Sequence, residues 1–470
     1  MAEPNRPLRG VSLAQTLTTS LPPSADVYAG ACCDDAAVVR PGDVYFAPRG
    51  DVTSVLPHAQ RAAERGAAAI VTEQLLPLSS TPQYVVDSTR AAFGTFCHRL
   101  VGDPSLQITC VAVAGAYGKS STAVLLESIL SAAGASPAVC PSPAASSAAV
   151  TASWLAEQAA DGATHALFEA SEAAALDGRL DGLRLRAACL TNLAGAVPSR
   201  EQSHAHRRAV LTAGLDQLGR GGLLAINADD QPSCRLLSEW LGQSVTHSTT
   251  GPADLVGTVT ERHSGGQVLA LRWRGTTAAV STATIGDAHA QNCLAAAATA
   301  VGLGVDLVTV AKGLESAPPL PVRMQPVSRG QGFPVLLDAS RDSATVARAA
   351  AAVSATTPGR LLTVIDCGAA TPATDESAAS LLAAASGRNS AVIAVRGRGR
   401  AKPNGEHLRW VDDRFTAIAL AVALAEEGDA VLVTGCDPDA APLECDEHLV
   451  SGLIERRLAN TPPAAVGRAA

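Results

Sequence analysis

The stretch that most limits what this chain can fold into is Gln-Ile-Thr-Cys-Val-Ala-Val-Ala-Gly-Ala-Tyr-Gly-Lys-Ser-Ser-Thr, residues 107–122, followed by an Ala-, Leu- and Ile-rich run to residue 134. The apolar, β-branched segment 108–114 predicts a buried strand. Gly115 and Gly118 permit a tight turn, and Val124, Leu125, Ile129 and Leu130 at helical spacing predict a helix over 119–133. In a strand, glycine turn and helix of this kind the N–H groups of the loop and of the first helical turn converge. A lysine there reaches terminal phosphates, and the next hydroxyl holds magnesium. Gly115, Ala116, Tyr117, Gly118, Lys119, Ser120 and Ser121 are therefore the expected cradle for ATP with Mg2+, and Lys119 is the expected catalytic cation. Val113 stands where the full phosphate-loop pattern has its first glycine, so the motif is the shorter Gly-x-x-Gly-Lys-Ser.

Composition sets the setting of that loop. A chain of 470 residues implies several domains. With 47% apolar but only 3% aromatic residues, its core must be built from Ala, Val and Leu. A net charge of −8 without a basic run gives nucleic acid no electrostatic footprint, so binding to DNA or RNA is not expected. The eleven cysteines form no C-x-x-C pair, and the chain starts without a charged segment followed by an apolar one. That predicts free thiols in a reducing compartment, the adjacent Cys32-Cys33 being two small, mostly buried residues. No apolar run approaches the roughly 18–20 residues of a membrane helix, so a soluble, cytoplasmic protein is expected.

Elsewhere short apolar strands alternate with helical patterns, the mark of an α/β fold. Turn 41–43, strand 44–47, helix 58–65 and strand 68–72 form a first unit. A strand over 164–168 ends at Glu169, and the carboxyl end of a strand is where an open α/β sheet carries its ligand groups. Glu169 is thus the expected metal partner of Ser120. A strand over 187–190 leads into Thr191-Asn192-Leu193, and Gly286-Asp-Ala-His-Ala-Gln-Asn292 opens a long helix. After a proline-rich linker at 318–321, strands at 335–337, 361–365, 391–395 and 430–434 separated by Ala-rich helices predict a further parallel sheet. The division expected is three domains, 1–106, 107–319 and 320–470, the last two with mainly parallel sheets.

Taken together, these segments resemble the Mur ligases, and within them the UDP-MurNAc-tripeptide synthetases of the MurE branch. The resemblance rests on Pro41-Gly-Asp-Val-Tyr-Phe-Ala47, Gly115-Ala-Tyr-Gly-Lys-Ser-Ser121, Thr191-Asn192-Leu193, Asn227-Ala-Asp-Asp230, Arg323-Met324 and Asp413-Arg414 with Ala417-Ile418. It implies a UDP-sugar-binding-like N-terminal domain, a central P-loop ATP-binding domain and a Rossmann-like C-terminal ligase domain. It also implies that Glu169 helps bind magnesium, that Asn292 contacts adenine, that Arg323 reaches the nucleotide phosphates or ribose, and that Asp338 is a further nucleoside contact. The implied family activity joins an acid, a UDP-MurNAc-dipeptide, to an amino acid through an acyl phosphate, at the expense of ATP, in peptidoglycan synthesis.

The departures from the family pattern are equally specific. Asp35-Ala36-Ala37 replaces an Asp-Ser-Arg triplet that holds uridine. Val197 replaces the histidine of a second magnesium site, and Val210 a carbamylated lysine. Arg207 and Arg208 stay protonated and cannot form a carbamate, and His204 and His206 read as solvated. Cys367-Gly-Ala-Ala-Thr-Pro372 and Gly435-Cys-Asp-Pro-Asp439 replace amino-acid recognition loops, an Asp-Asn-Pro-Arg clamp has no match near 396–400, and the run there reads as a solvated loop, with phosphate binding the alternative. The expectation is an ATP-binding member with impaired or absent turnover, a pseudoenzyme acting through a protein partner. The alternative is an active, divergent amide ligase with a UDP-MurNAc peptide or another acid as substrate.

Overall fold

Parallel strands dominate the protein, as the alternating pattern predicts. The computed structural model describes residues 10–17, 26–78, 80–141, 147–193, 215, 217–263, 265–320, 322–367, 375–387, 389–395, 407–437 and 445–460. Val197, His204, His206, Arg207, Arg208, Val210 and the run 396–400 lie outside these residues. The chain divides into two units, 1–255 with 294–313, and 256–293 with 314–470.

In the first unit a four-stranded parallel sheet runs in the order Cys32–Cys33, Val44–Phe46, Ala69–Thr72, Gln83–Val85. Phe46, Phe93 and Phe96 meet in its core with ring centroids 5.4 and 5.8 Å apart, so half of the chain's six phenylalanines serve one cluster. The helix expected at 58–65 spans Val52–Glu64. It starts earlier because the Asp51 carboxylate accepts the Ser54 N–H at 2.9 Å, an N-cap strong enough to carry the helix through Pro57.

A second parallel run in the same unit has the order Pro137–Val139, His165–Ala170, Thr109–Ala114, Leu185–Leu190, Leu218–Asn227, Gln243–Ser248. The strand Thr109–Ala114 lies inside it and, from Cys110 on, is fully buried. It feeds the helix Lys119–Ala132, which buries Thr122, Leu125, Leu126, Ile129 and Leu130 at helical spacing. One central strand flanked on both sides thus delivers the glycine turn to the sheet's carboxyl edge.

In the second unit a six-stranded sheet runs Gln325–Val327, Val335–Leu337, Ala430–Val433, Leu361–Asp366, Ser390–Val395, Leu408–Val411. It is parallel except for the edge strand Gln325–Val327. The unit also holds an antiparallel pair, Gly266–Trp273 with Thr276–Thr282, that the sequence reading did not expect. Its two-residue turn, Arg274-Gly275 with φ of +47° and +83°, has the left-handed backbone that such hairpins need. Among the described residues no sheet draws strands from both sides of Pro318, and no helix is long and apolar enough to cross a membrane.

Candidate functional site

The glycine turn is fixed by its neighbours. Strands Thr109–Ala114 and Leu185–Leu190 are parallel with Ala114 opposite Leu190, so residues 115–117 run beside Thr191 and Asn192. A Cβ on Gly115 would lie 2.1 Å from Thr191 Oγ1, and the backbone there has φ +133°, so only glycine fits. Ala116 N–H donates to the Asn192 carbonyl (3.0 Å) and Tyr117 N–H to Asn192 Oδ1 (3.2 Å). In return the Tyr117 carbonyl accepts from Thr191 Oγ1 (2.7 Å) and Asn192 Nδ2 (3.1 Å). The amides of Ala116 and Tyr117 therefore turn toward the neighbouring strand end. That narrows the expected cradle to the start of the helix.

There Gly118, at φ +80°, is the N-cap, and the first intrahelical bond is donated by Thr122 to its carbonyl at 2.8 Å. The amides of residues 119–121 precede that bond and face outward at the positive end of the helix dipole. Lys119 Nζ donates to the Gly115 carbonyl at 2.9 Å and reaches that of Ala116 at 3.5 Å, which sets a cation across the loop. Ser120 Oγ donates to Glu169 Oε2 at 2.9 Å. The strand register produces this meeting, since Val113 lies opposite Glu169.

These oxygens suit magnesium. The ion binds through one or two protein oxygens and keeps the rest of its shell for water and phosphate. A hydroxyl and a carboxylate already within hydrogen-bond reach match that, and among the described residues no cluster of three His, Cys, Asp or Glu competes as an all-protein metal cage. Next to them Cys140, Pro141, Phe168, Glu169, Arg179 and Leu180 line a shallow hollow. The buried Arg179 is a residue the sequence reading missed, because nothing in its local sequence marks it. Burial pushes the Cys140 thiol up to about 11, with the Arg179 guanidinium opposing.

Support for the loop comes from Asn227-Ala-Asp-Asp230. Asn227 Nδ2 donates to the Thr191 carbonyl (3.1 Å), and Asp230 Oδ2 accepts the Leu193 N–H (2.8 Å). Asp229 binds Ser248 Oγ, the Thr249 N–H and hydroxyl, and Thr250 Oγ1. Its partial burial favours the neutral acid, but those hydrogen bonds prevail and hold its pKa at about 2.

The remaining predicted residues belong to the second unit. Asn292 sits half-buried in the helix Asp287–Gly302, one turn after His289, whose Nε2 lies 3.4 Å from Cys293 Sγ. Burial lowers the His289 pKa to about 4, so the ring is neutral. Arg323 is exposed on a turn whose flanking residues Val322 and Met324 have φ of +45° and +51°. Positive φ at a β-branched residue is strained, and such strain persists only where surrounding bonds enforce it. Here they are Val322 N–H to Gln325 Oε1 (2.8 Å), Ala339 N–H to the Val322 carbonyl (2.8 Å) and Met324 N–H to Asp338 Oδ2 (3.0 Å). The other Asp338 oxygen takes the Ser340 N–H at 2.9 Å and the Ser340 hydroxyl. Asp338 thus holds the turn that presents Arg323.

Two other motifs serve as scaffold. Asp413 caps the helix Arg414–Leu424, and Arg414 grips the Asp446 carboxylate through two bonds of 2.9 and 2.8 Å. In the first unit Ala36 is buried in the core with Val39 and Tyr45, while Asp35 accepts the Ala37 N–H.

Comparison with known proteins extends these observations across the chain. The model of the Mur ligase middle domain matches residues 113–300, and that of the Mur ligase glutamate ligase domain matches residues 322–436. The UDP-N-acetylmuramoyl-L-alanyl-D-glutamate–2,6-diaminopimelate ligase of Geobacillus thermodenitrificans is 26% identical over 85% of this chain and 88% of its own length. That of Streptomyces coelicolor is 27% identical over 92% and 93%. A solved structure of a ligase of the same description covers 96% of this chain and 99% of its own at 19% identity, with a TM-score of 0.74. The MurF ligase of Thermotoga maritima in complex with ADP covers 91% and 98% at 16% identity, with a TM-score of 0.60. At such identity the solved structures show a shared α/β, multi-domain fold, while the two domain models and the relatives aligned over most of the chain show ancestry: the protein belongs to the Mur ligase family and resembles its MurE branch.

Proposed function

We propose that this protein is a MurE-like Mur ligase homologue that binds ATP with Mg2+ and has lost most or all of its ligase turnover. The observation that carries the reading is an intact phosphate loop, with Lys119 across its mouth and Ser120 bonded to Glu169, in a chain with valine at positions 197 and 210. Magnesium, bound by Ser120 and Glu169, would neutralise charge on the phosphates. The amides of residues 119–121 and the Lys119 ammonium would hold the phosphate end of the nucleotide, and Gly115 and Gly118 shape the turn that brings them there. Asn292 and Arg323 would serve the nucleoside end, with Asp338 acting through the turn it anchors. The domains are read as 1–106, 107–319 and 320–470, and the setting as the cytoplasm.

Activating a carboxylate with ATP depends on positioning and on neutralising the transferred phosphoryl group. Valine at 197 and 210 offers neither an imidazole nor a carbamate oxygen, and Ala36 and Ala37 offer uridine neither a hydroxyl nor a guanidinium. Losing one preorganised donor costs roughly 10²–10³ in rate, and groups that act as a unit fail together. A nucleotide-bound form that signals to a protein partner is the role left.

The test is calorimetry of ATP with Mg2+, followed by mass spectrometry of reactions with UDP-MurNAc-dipeptide, diaminopimelate or lysine, and bicarbonate. Micromolar binding without tripeptide is the expected result. Turnover of ~1 per second, ordinary for an enzyme, would establish instead the active, divergent ligase, the reading favoured by relatives that align over most of their length.

A further inference from the structure

The adjacent cysteines near the amino terminus are not equivalent in the fold. Cys32 and Cys33 form a short strand paired in parallel with Val44–Phe46, and successive strand residues point to opposite faces. Cys33 packs with Ala36, Val39 and Tyr45, while Cys32 packs with the Phe46, Phe93 and Phe96 cluster, the core that also contains Cys97. Cys97 belongs to the helix Thr89–Leu100 and is 4% exposed, whereas Cys32 is partly exposed. Their sulfur atoms, from residues 65 positions apart in sequence, lie 3.6 Å from each other. A disulfide needs sulfurs ~2 Å apart. Strand and helix already hold the two thiols face to face, with the remainder of that distance left to close.

We propose that Cys32 and Cys97 are a reversible dithiol–disulfide pair, oxidised by a hydroperoxide such as hydrogen peroxide. The Cys32 sulfur, the more accessible, attacks the peroxide. An S–O bond forms, the O–O bond breaks, and the departing hydroxide takes up the Cys32 thiol proton and leaves as water. The Cys97 sulfur then attacks the sulfenic sulfur, forming the S–S bond and expelling hydroxide, which takes up the Cys97 proton as a second water. Two thiols lose two electrons in total, and the peroxide gains them. A small thiol returns the pair to its reduced form by exchange. Cys33 on the opposite face takes no part. The hydrogen bond with Cys97, burial, and the carboxylates of Asp34 and Asp43 all raise the Cys32 thiol well above its usual range, which makes the pair slow to oxidise and keeps it a dithiol under mild conditions. The bond would staple the strand Cys32–Cys33 to the helix Thr89–Leu100 and close a long loop in the unfolded chain.

The experiment treats the full-length protein with hydrogen peroxide and maps its peptides without reduction by mass spectrometry. Expected is a cross-link between the peptides that contain Cys32 and Cys97, lighter than their sum by the mass of two hydrogens, reversed by dithiothreitol and accompanied by a rise of a few degrees in melting temperature. Cys33→Ser should retain the cross-link, and Cys32→Ser and Cys97→Ala should each abolish it. If Cys97→Ala does not fold, the half-exposed Cys32→Ser alone decides. A bond between Cys32 and Cys33, persistence of the cross-link in Cys32→Ser, or sulfinic acid at Cys32 with no cross-link would each overturn the proposal.

Discussion

The carboxyl edge of the strand Thr109–Ala114 and that of the strand Val335–Leu337 carry the same kinds of groups and use them differently. At the first, Lys119 bonds to loop carbonyls and Ser120 to one partly exposed carboxylate, contacts that a phosphate and a metal can replace at little cost. At the second, Asp338 is buried and has both oxygens bonded to Met324 and Ser340. Nearby in the fold of that unit, Arg414 is committed to Asp446 in a forked pair. A bound ligand would have to break those bonds and leave buried groups unpaired. One edge is arranged to exchange partners and the other to keep them, although both are parallel-sheet edges of the kind that hold ligands.

The largest effects should come from the exchangeable edge. Lys119→Ala removes the cation across the loop, and Gly115→Ala drives a methyl group into Thr191. Each should weaken ATP binding by at least roughly a hundredfold, about 3 kcal/mol, in calorimetry, while Lys119→Ala leaves the melting temperature nearly unchanged. An unaltered affinity in either variant would remove the difference between the edges.

Arg414→Ala should do the reverse. It leaves the largely buried Asp446 carboxylate without its forked partner, which should cost about 3 kcal/mol in urea unfolding and leave the affinity of the phosphate loop for ATP within about twofold. If that affinity fell as far as in Lys119→Ala, the pair would belong to the binding machinery and not to the scaffold.

Acid should sharpen the contrast from the loop's side. His247 is 1% exposed, and burial lowers its pKa from 6.5 to about 4, the Asp229 carboxylate opposing. A pKa depressed by folding means that the unfolded chain binds the proton more tightly. The neutral ring's contribution is therefore fully present above pH 6.5 and is lost as the pH falls toward 4, on the order of 3 kcal/mol. His247→Leu should flatten the pH dependence of the urea midpoint across that window, and an unchanged slope would show that another group carries it. The smallest effect is expected from Glu169→Gln, which keeps a hydrogen-bond acceptor for Ser120 and loses the charge that favours magnesium. ATP affinity should fall about tenfold, about 1.4 kcal/mol, with Mg2+ present and hardly change in its absence.

Much of this site was legible in the sequence. Gly115, Gly118, Lys119 and Ser120 lie within six residues of one another, and their roles follow from a local pattern of strand, turn and helix. Glu169 could be placed beside them because strand ends at one sheet edge are neighbours by construction. Thr191 and Asn192 were visible as a motif but not as the clamp that turns the Ala116 and Tyr117 amides aside, since the clamp depends on Ala114 lying opposite Leu190. The early start of the helix Val52–Glu64 was hidden by Pro57, which reads as a breaker until the Asp51 cap is seen. The hairpin at Arg274-Gly275 was missed because the β-strands beside it carry no strong apolar alternation.

The sequence by itself determined the class of fold, the glycine turn with its lysine and serine, and the family, because each of these is carried by the order of residues along short segments. The tertiary structure alone decided which carboxylates remain exchangeable and which are consumed, that Arg323 stands on a turn held in left-handed backbone by Asp338, that Arg179 is buried beside the hollow at Glu169, and that Cys32 faces Cys97 rather than Cys33. The physical reason is common to all four. Burial and partnership depend on which segments pack together, and segments 14 to 65 residues apart meet only when the strands find their register.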